Sequence, residues 1–174
     1  VGLADALARA REQAGSERPL GRPDFARALV AAGLVPDVAT AFRKHLGNGK
    51  PGDVKALWPG LAEAVGWIVD AGGVAVLAHP LRYSLTRRKR GLLLDDFAAA
   101  GGQAAELVSG FQNPDVTRDL ARQLQERDLY ASQGSDFHFP GGHLAPGSMS
   151  PVPRTATLPV WTHPRLAPRL NSGA

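Results

Sequence analysis

The sequence has no cysteine among its 174 residues. Disulfide bonds and thiolate metal sites are therefore excluded, and His, Asp and Glu remain as the possible metal ligands. Long apolar runs are also missing, because no stretch approaches the roughly 18 apolar residues of a membrane span. The first residues carry charges throughout and lack the apolar core of a secretory signal. We therefore expect a cytoplasmic protein.

What the sequence does contain is enough apolar material for a core and an excess of positive charge. Hydrophobic residues make up 44% of the chain, so composition does not indicate disorder. The formal net charge is +4 and the sequence pI is about 10.0. A basic balance of this kind suits a partner that carries phosphate. Arginines that simply decorate a solvated surface are the alternative interpretation.

The first 50 residues predict short helices joined by glycine and proline turns. The segment LADALARAREQA has helical spacing, and RPDFARALVAAGLV places Pro23 near a helix start. The segment PDVATAFRKHLG begins with Asp37 as the expected N-cap and stops at Gly47. The following GNGKPGD is the expected boundary. It divides the chain into a helical subdomain over residues 1–52 and a second part over 53–174.

Beyond that boundary the pattern alternates between strands and helices. Three apolar strands are predicted in GGVAVLAHP, QAAELVSG and LYASQGSD, with helices in RGLLLDDFAAAGG and NPDVTRDLARQLQERD between them. Asn113 is the expected cap of the second of these helices, with Pro114 at its first position. Short connections in the order β-α-β-α-β predict a parallel sheet or a (β/α) barrel. The proline-rich tail from about residue 139 is expected to be irregular and to wrap the domain.

Ligand-type side chains follow two of these strands. The first strand ends at His79, and the third is followed by Asp136 and His138. Functional residues of parallel α/β folds gather at the carboxyl ends of strands, where the loops converge. Imidazole and carboxylate ligands together suit Zn²⁺, Mn²⁺ or Fe²⁺. The alternatives are a hydrogen-bonded structural role for His79 and a turn or cap role for Asp136.

These segments together resemble a known family. The stretch GGVAVLAHPLRY, followed by a helix, the strand AELVSG and then ASQGSDFH, is similar to the PHP (polymerase and histidinol phosphatase) family of metal-dependent phosphoesterases. The likeness is greatest to its TrpH-like branch, which contains 3′,5′-nucleoside bisphosphate phosphatases and the 5′-to-3′ exoribonuclease RNase AM. The helical stretch RPDFARALVAAGLVPDVATAFRKHLGNGKPGDV looks like the insertion domain of that branch.

The resemblance implies a fold, a metal centre and a reaction. The fold would be α/β, the C-terminal part of a distorted (β/α)₇ PHP barrel with an N-terminal all-helical insertion subdomain. The centre would hold two or three divalent ions, usually Mn²⁺, with Mg²⁺, Zn²⁺ or Fe²⁺ as alternatives. His79 would be the ligand of the family's third motif, and Asp136 and His138 those of the fourth. These three residues would be catalytic through the metal in the hydrolysis of nucleotide phosphate esters or RNA 5′ ends.

The resemblance also suggests which other residues serve the substrate. Arg22 and Arg27 of the helical insertion and Arg82 after the His-Pro pair would contact substrate phosphate. A surface ion pair is the alternative for each arginine, and we favour it for Arg27. Glu106 lies in the middle of the second strand, so we expect it to support the site without binding metal.

Some motifs of the family are absent from this sequence. Neither the His-x-His nor the Thr-Asp-His motif is present, and the chain's histidines are His45, His79, His138, His143 and His163. We therefore expect the chain to correspond to the C-terminal part of a family member. An open barrel would expose strand edges and apolar surface, which a second copy or a further segment would cover. His143 could add a ligand, with a surface loop position as the alternative.

A second class of function stays open at this point. The chain as given could be a non-catalytic, basic module that binds nucleotides or RNA through its helical part and its arginines. Such a module would bind RNA without metal and with a strong dependence on salt.

Overall fold

A computed structural model describes residues 3–15, 18–47, 49–53, 58–138, 140 and 144–168. The chain forms two compact units, Val1–Trp58 and Pro59–Ala174. Each unit has its own buried cluster of apolar residues.

The first unit is helical over its described residues. Helix α1 spans Leu3–Ala14, α2 spans Arg22–Ala31, and the four-residue α3, Val38–Ala41, continues into a π-helical turn over Phe42–Leu46. Asp37 caps α3 as predicted, because its carboxylate accepts the Thr40 N–H at 2.6 Å. The predicted stop at Gly47 is also confirmed. The core of this unit consists of Ala26, Val35, Ala41 and Leu46.

A buried carboxylate organises the start of α2. The Asp24 side chain is only 2% exposed and accepts hydrogen bonds from Arg18 to both of its oxygens, at 2.7 and 2.9 Å. Arg27 donates to Oδ1 at 2.6 Å and the Gly21 N–H to Oδ2 at 2.8 Å. These bonds, first among them the pair with Arg18, hold the pKa of Asp24 well below its ordinary range.

The second unit is a parallel α/β structure, which confirms the predicted class. Its sheet has the order β1-β2-β3, with β1 at Val76–Leu77, β2 at Ala104–Ser109 and β3 at Tyr130–Gly134. Both strand pairs are parallel, so the chain crosses over through a helix after β1 and after β2. The helices are α4 at Leu61–Asp70, α5 at Arg87–Ala99 and α6 at Pro114–Gln125.

Local signals fix the ends of these elements. Asn113 caps α6 by accepting the Asp115 N–H at 2.8 Å, and Pro114 occupies the first position, as predicted. Helix α5 begins at Arg87, earlier than the sequence pattern suggested, because Thr86 accepts the Lys89 N–H and caps it. The first strand is much shorter than its apolar run. The core contains Leu94, Leu107, Val108, Leu120, Leu124 and Leu129.

The tail from residue 144 onward packs along the outer edge of β3. The Ala131 N–H donates to the Leu158 carbonyl at 2.8 Å, and an isolated parallel bridge joins Ala131 to Pro159. A 3₁₀ turn follows over Val160–Thr162. The described part of the tail is otherwise without helix or strand as far as Leu166, and it contacts the sheet at this edge.

The opposite edge of the sheet has a different character. Within the described ranges β1 pairs only with β2, and Val76 is 39% exposed. Leu61 and Ile68 on α4 are exposed as well. This agrees with the expectation that a strand edge and apolar surface are left uncovered. Among the described helices, none has the length and apolar character that crossing a membrane requires.

Candidate metal and phosphate site

The loops that follow the three strands meet at one end of the sheet. His79 comes just after β1, Gly110 directly after β2, and Asp136 just after β3. The Gly110 N–H donates to the Gly134 carbonyl at 2.8 Å, which joins the second loop to the third. The predicted gathering of ligand-type residues at the carboxyl ends of parallel strands therefore has a structural basis.

His79 is held in an unusual backbone conformation. Its φ is 33°, in a region that residues with side chains rarely adopt. Its N–H donates to Oε2 of Glu106 at 2.8 Å, and its carbonyl accepts the Arg82 N–H at 2.9 Å. The ring nitrogen Nδ1 is buried and has no hydrogen-bond partner among the described residues. A buried nitrogen without a partner is costly unless a ligand satisfies it.

Glu106 supports His79 from the neighbouring strand. One oxygen of the Glu106 carboxylate accepts the His79 N–H. The other oxygen lies against Gly134, so close that a Cβ atom added at that glycine would be 3.2 Å from it. The expectation that Glu106 supports the site agrees with this contact. Tyr83 also packs against His79, with ring centroids 5.5 Å apart in an edge-to-face arrangement. Burial, and then the Glu106 charge, raises the pKa of the Tyr83 hydroxyl.

Asp136 also has left-handed backbone, with a φ of 56°. Its Oδ2 lies 2.8 Å from Nη1 of Arg82, and Nη2 of the same guanidinium donates to the Ser109 carbonyl at 3.0 Å. Arg82 therefore connects the loops after all three strands. Three non-glycine residues in the described ranges have positive φ, and two of them, His79 and Asp136, are predicted ligands. Such strain concentrates at functional sites.

His138 lies at the rim of this arrangement. Its side chain is 72% exposed, and Nδ1 is 2.8 Å from the Asp136 carbonyl oxygen and 3.8 Å from Oδ1. Within the part of the chain that the structure describes, no three His, Asp or Glu side chains are close enough to hold a metal ion. The chemistry of the set, two imidazoles and a carboxylate, fits a divalent metal as part of a larger ligand shell.

The predicted arginines are divided between the two units. Arg82 lies beside Asp136 in the second unit, whereas Arg22 and Arg27 lie on α2 in the first. Arg27 is paired with Asp24, which supports the ion-pair interpretation of this residue. Arg22 approaches the Leu46 carbonyl at 3.4 Å and lines an apolar cavity of about 500 Å³. His143 lies outside the described residues.

Sequence reasoning missed the contribution of the loop after β2. Gly110 has a φ of 63°, and a Cβ atom there would lie 3.1 Å from Arg82 Nη2 and 3.2 Å from the Ser135 carbonyl oxygen. A side chain at this position would be strained by the positive φ and would crowd the neighbouring loops, which favours glycine here. The signal was present in the sequence as the glycine that directly follows the strand AELVS.

Comparison with known proteins identifies relatives that match most of this chain. The chain is 44% identical over 162 residues to the 3′,5′-nucleoside bisphosphate phosphatase of Chromobacterium violaceum, covering 92% of this chain and 56% of the relative. It is 41% identical over 140 residues to a 5′-3′ exoribonuclease of Haemophilus influenzae, covering 80% of this chain and 51% of that protein. The names of these relatives fit the PHP family that the sequence resembles. No family model matches the chain.

Solved structures agree with this likeness to the PHP family. An amidohydrolase from Chromobacterium violaceum, solved with bound sulfate and no metal, superposes with a TM-score of 0.72 at 41% identity, covering 91% of this chain and 61% of that one. A protein from Bifidobacterium adolescentis assigned as a metal-dependent phosphoesterase gives a TM-score of 0.65 at 28% identity, covering 84% and 51%. The chain spans about half the length of the curated relatives it matches.

Proposed function

We propose that this protein is a metal-dependent phosphoesterase that hydrolyses nucleotide phosphate esters, either 3′,5′-nucleoside bisphosphates or RNA 5′ ends. The observation that carries the proposal is the 44% identity to a 3′,5′-nucleoside bisphosphate phosphatase over 92% of this chain. The exoribonuclease relatives act on the same class of bond, a phosphate ester of a nucleotide. The names of these relatives therefore support hydrolysis of a phosphate ester, and they leave nucleoside bisphosphates and RNA 5′ ends as two possible classes of substrate.

We assign the second unit to the C-terminal β/α units of a PHP barrel and the first to its helical insertion, with the boundary near residues 52 and 53. The all-parallel sheet supports this assignment. The outer edge of β1 would then receive a further strand from another segment or from a second copy, because its backbone groups need partners.

In this scheme His79, Asp136 and His138 are members of the larger ligand shell of a divalent ion, with Mn²⁺ as the first candidate. The buried Nδ1 of His79, which lacks a partner among the described residues, supports the assignment. So does the strained backbone of His79 and Asp136. A divalent ion bound there would lower the pKa of water and polarise a phosphoryl oxygen. Glu106 contributes by holding the His79 backbone through the N–H bond.

The chain's own contribution to the substrate is Arg82. Its guanidinium has five N–H donors, and the Asp136 carboxylate and the Ser109 carbonyl occupy two positions. Donors remain for a phosphate oxygen, and they would stabilise charge on a phosphate that is losing its ester bond. Arg22, on the helical unit, is a second candidate for a phosphate contact.

The direct test is phosphate release from adenosine 3′,5′-bisphosphate by the purified protein, with Mn²⁺ and after its removal by a chelator. We expect release that depends on metal and is abolished by His79→Ala. The matched control is His45→Ala, an exposed histidine of the helical unit, which we expect to leave release unchanged. Equal release by the wild type and His79→Ala would contradict the assignment.

A further inference from the structure

Phe111 is the most exposed large apolar residue described in the second unit, with 69% of its surface accessible. It lies in the loop after β2, at the same end of the sheet as His79 and Asp136. A single exposed apolar side chain is common on protein surfaces. Its exposure becomes informative together with two other observations: the loop is anchored on both sides of Phe111, and the preceding residues lie against Arg82.

The backbone on both sides of Phe111 is fixed. Gly110 donates its N–H to the Gly134 carbonyl at 2.8 Å and accepts the Ser150 N–H at 3.0 Å. The Gln112 N–H donates to the Ser150 hydroxyl at 3.0 Å. An exposed aromatic ring on an anchored loop loses little conformational entropy when a ligand covers it.

Phe111 also follows Ser109 and Gly110, two residues that lie against Arg82, the candidate for binding phosphate. A Cβ atom at Gly110 would lie 3.1 Å from Arg82 Nη2, and the same nitrogen donates to the Ser109 carbonyl at 3.0 Å. A nucleotide whose phosphate meets Arg82 would therefore have an exposed aromatic ring within its own length. The two features would give a nucleotide a cationic contact at Arg82 and an apolar contact at Phe111.

Two other described aromatic residues at this end of the sheet, Tyr83 and Phe137, are placed differently. Tyr83 packs edge-to-face on His79, and its hydroxyl donates to the Ala78 carbonyl at 2.9 Å. Phe137 is 38% exposed and stands between the candidate ligands Asp136 and His138. Among the described aromatic residues at this end of the sheet, Phe111 is therefore the one that a substrate can cover without disturbing a predicted ligand.

We propose that Phe111 is the stacking surface for the nucleobase of the substrate, an inference that rests on the proposed phosphoesterase function. Aromatic side chains stack on bases without strong sequence preference, because every base presents a π face. The subsite would therefore recognise that a base is present and would accept different bases. Arg82 would hold the phosphate while Phe111 covers one face of the base.

Calorimetric binding of adenosine 5′-phosphate and of ribose 5-phosphate to the Mn²⁺-loaded protein tests this inference. The two probes share the sugar and the phosphate and differ in the base. We expect Phe111→Ala to weaken adenosine 5′-phosphate about tenfold, within the range of base–aromatic stacking, and to leave ribose 5-phosphate unchanged. Phe111→Tyr should restore the loss. Trp67→Ala removes an aromatic residue of similar exposure, 59%, from α4 and should change neither affinity.

Two outcomes would overturn the inference. Unchanged binding of both probes by Phe111→Ala would exclude stacking, and an equal loss for both would indicate that the residue only maintains the loop. Failure of the proposed function is distinct from either, because the wild type would then bind neither probe and would release no phosphate from the bisphosphate.

Discussion

Asp24 in the helical unit and Asp136 in the α/β unit are both paired with arginine, yet their surroundings differ. The Asp24 side chain is 2% exposed, and its oxygens accept bonds from two arginines and from a backbone N–H. The Asp136 side chain is 19% exposed and has one arginine on Oδ2, with the His138 ring 3.8 Å from Oδ1.

Their backbones differ as well. Asp24 lies in the first turn of a regular helix, where a carboxylate is favoured. Asp136 has left-handed backbone at a strand end, a conformation that few residues other than glycine, asparagine and aspartate adopt. The comparison indicates that Asp24, a carboxylate on helical backbone with hydrogen bonds to both oxygens, stabilises the fold. A carboxylate on left-handed backbone, whose Oδ1 accepts no hydrogen bond from the described residues, is placed for a ligand.

The largest effect that separates the two is expected in turnover. Asp136→Asn should reduce metal-dependent phosphate release about 100-fold or more, because even residues that only orient a metal ligand contribute 10–100-fold. Asp24→Asn should leave the rate per folded molecule unchanged. Initial rates of both variants, scaled by the folded fraction from circular dichroism, check this. Equal losses would erase the distinction.

The next effect concerns Glu106, which acts on the site through His79. Glu106→Ala removes the acceptor of the His79 N–H and should lower turnover by about 10–100-fold. Glu106→Gln keeps an acceptor oxygen and should recover most of the rate. If the alanine and glutamine variants lose turnover equally, the negative charge of Glu106 matters and the hydrogen bond to the His79 N–H does not.

A smaller effect concerns stability and its dependence on pH. The folded-state pKa of Asp24 is lowered, so its carboxylate stabilises the fold above its ordinary pKa of about 3.9, and this contribution is lost as pH falls through the folded-state value. Asp24→Asn should lower the melting temperature by several degrees at neutral pH. The difference from the wild type should narrow in strong acid. Asp70→Asn, at an exposed position of α4, is the control.

The smallest effect is the stability change of Asp136→Asn. Asparagine tolerates left-handed backbone, and the lost ion pair involves an Arg82 side chain that is 42% exposed. Exposed pairs of this kind contribute about 0–1 kcal/mol. The unfolding free energy should therefore change by less than about 1 kcal/mol. A larger loss in chemical denaturation would show that Asp136 is structural like Asp24.

Sequence patterns predicted the parts of the fold that depend on local signals. The caps at Asp37 and Asn113 and the alternation of three strands with helices follow from side chains within a few residues of each element. The strand ends also placed His79 and Asp136 in loops at the same end of the sheet. These predictions succeeded because parallel strands align their carboxyl ends.

Other features depend on partners far away along the chain. A residue before proline is expected to be extended, yet His79 has a φ of 33° and donates its N–H to Glu106, 27 residues later. The link from Arg82 to Asp136 crosses two helices. The short β1 lacks a second neighbour within the described residues. None of these can be inferred from periodicity or capping.

The most direct measurement is Mn²⁺ binding by calorimetry for the wild type, Asp136→Asn and Asp24→Asn at neutral pH. We expect Asp136→Asn to lose Mn²⁺ affinity by at least about tenfold and Asp24→Asn to bind Mn²⁺ like the wild type. Unaltered Mn²⁺ binding by Asp136→Asn would contradict the claim that the strained strand-end carboxylate is a metal ligand.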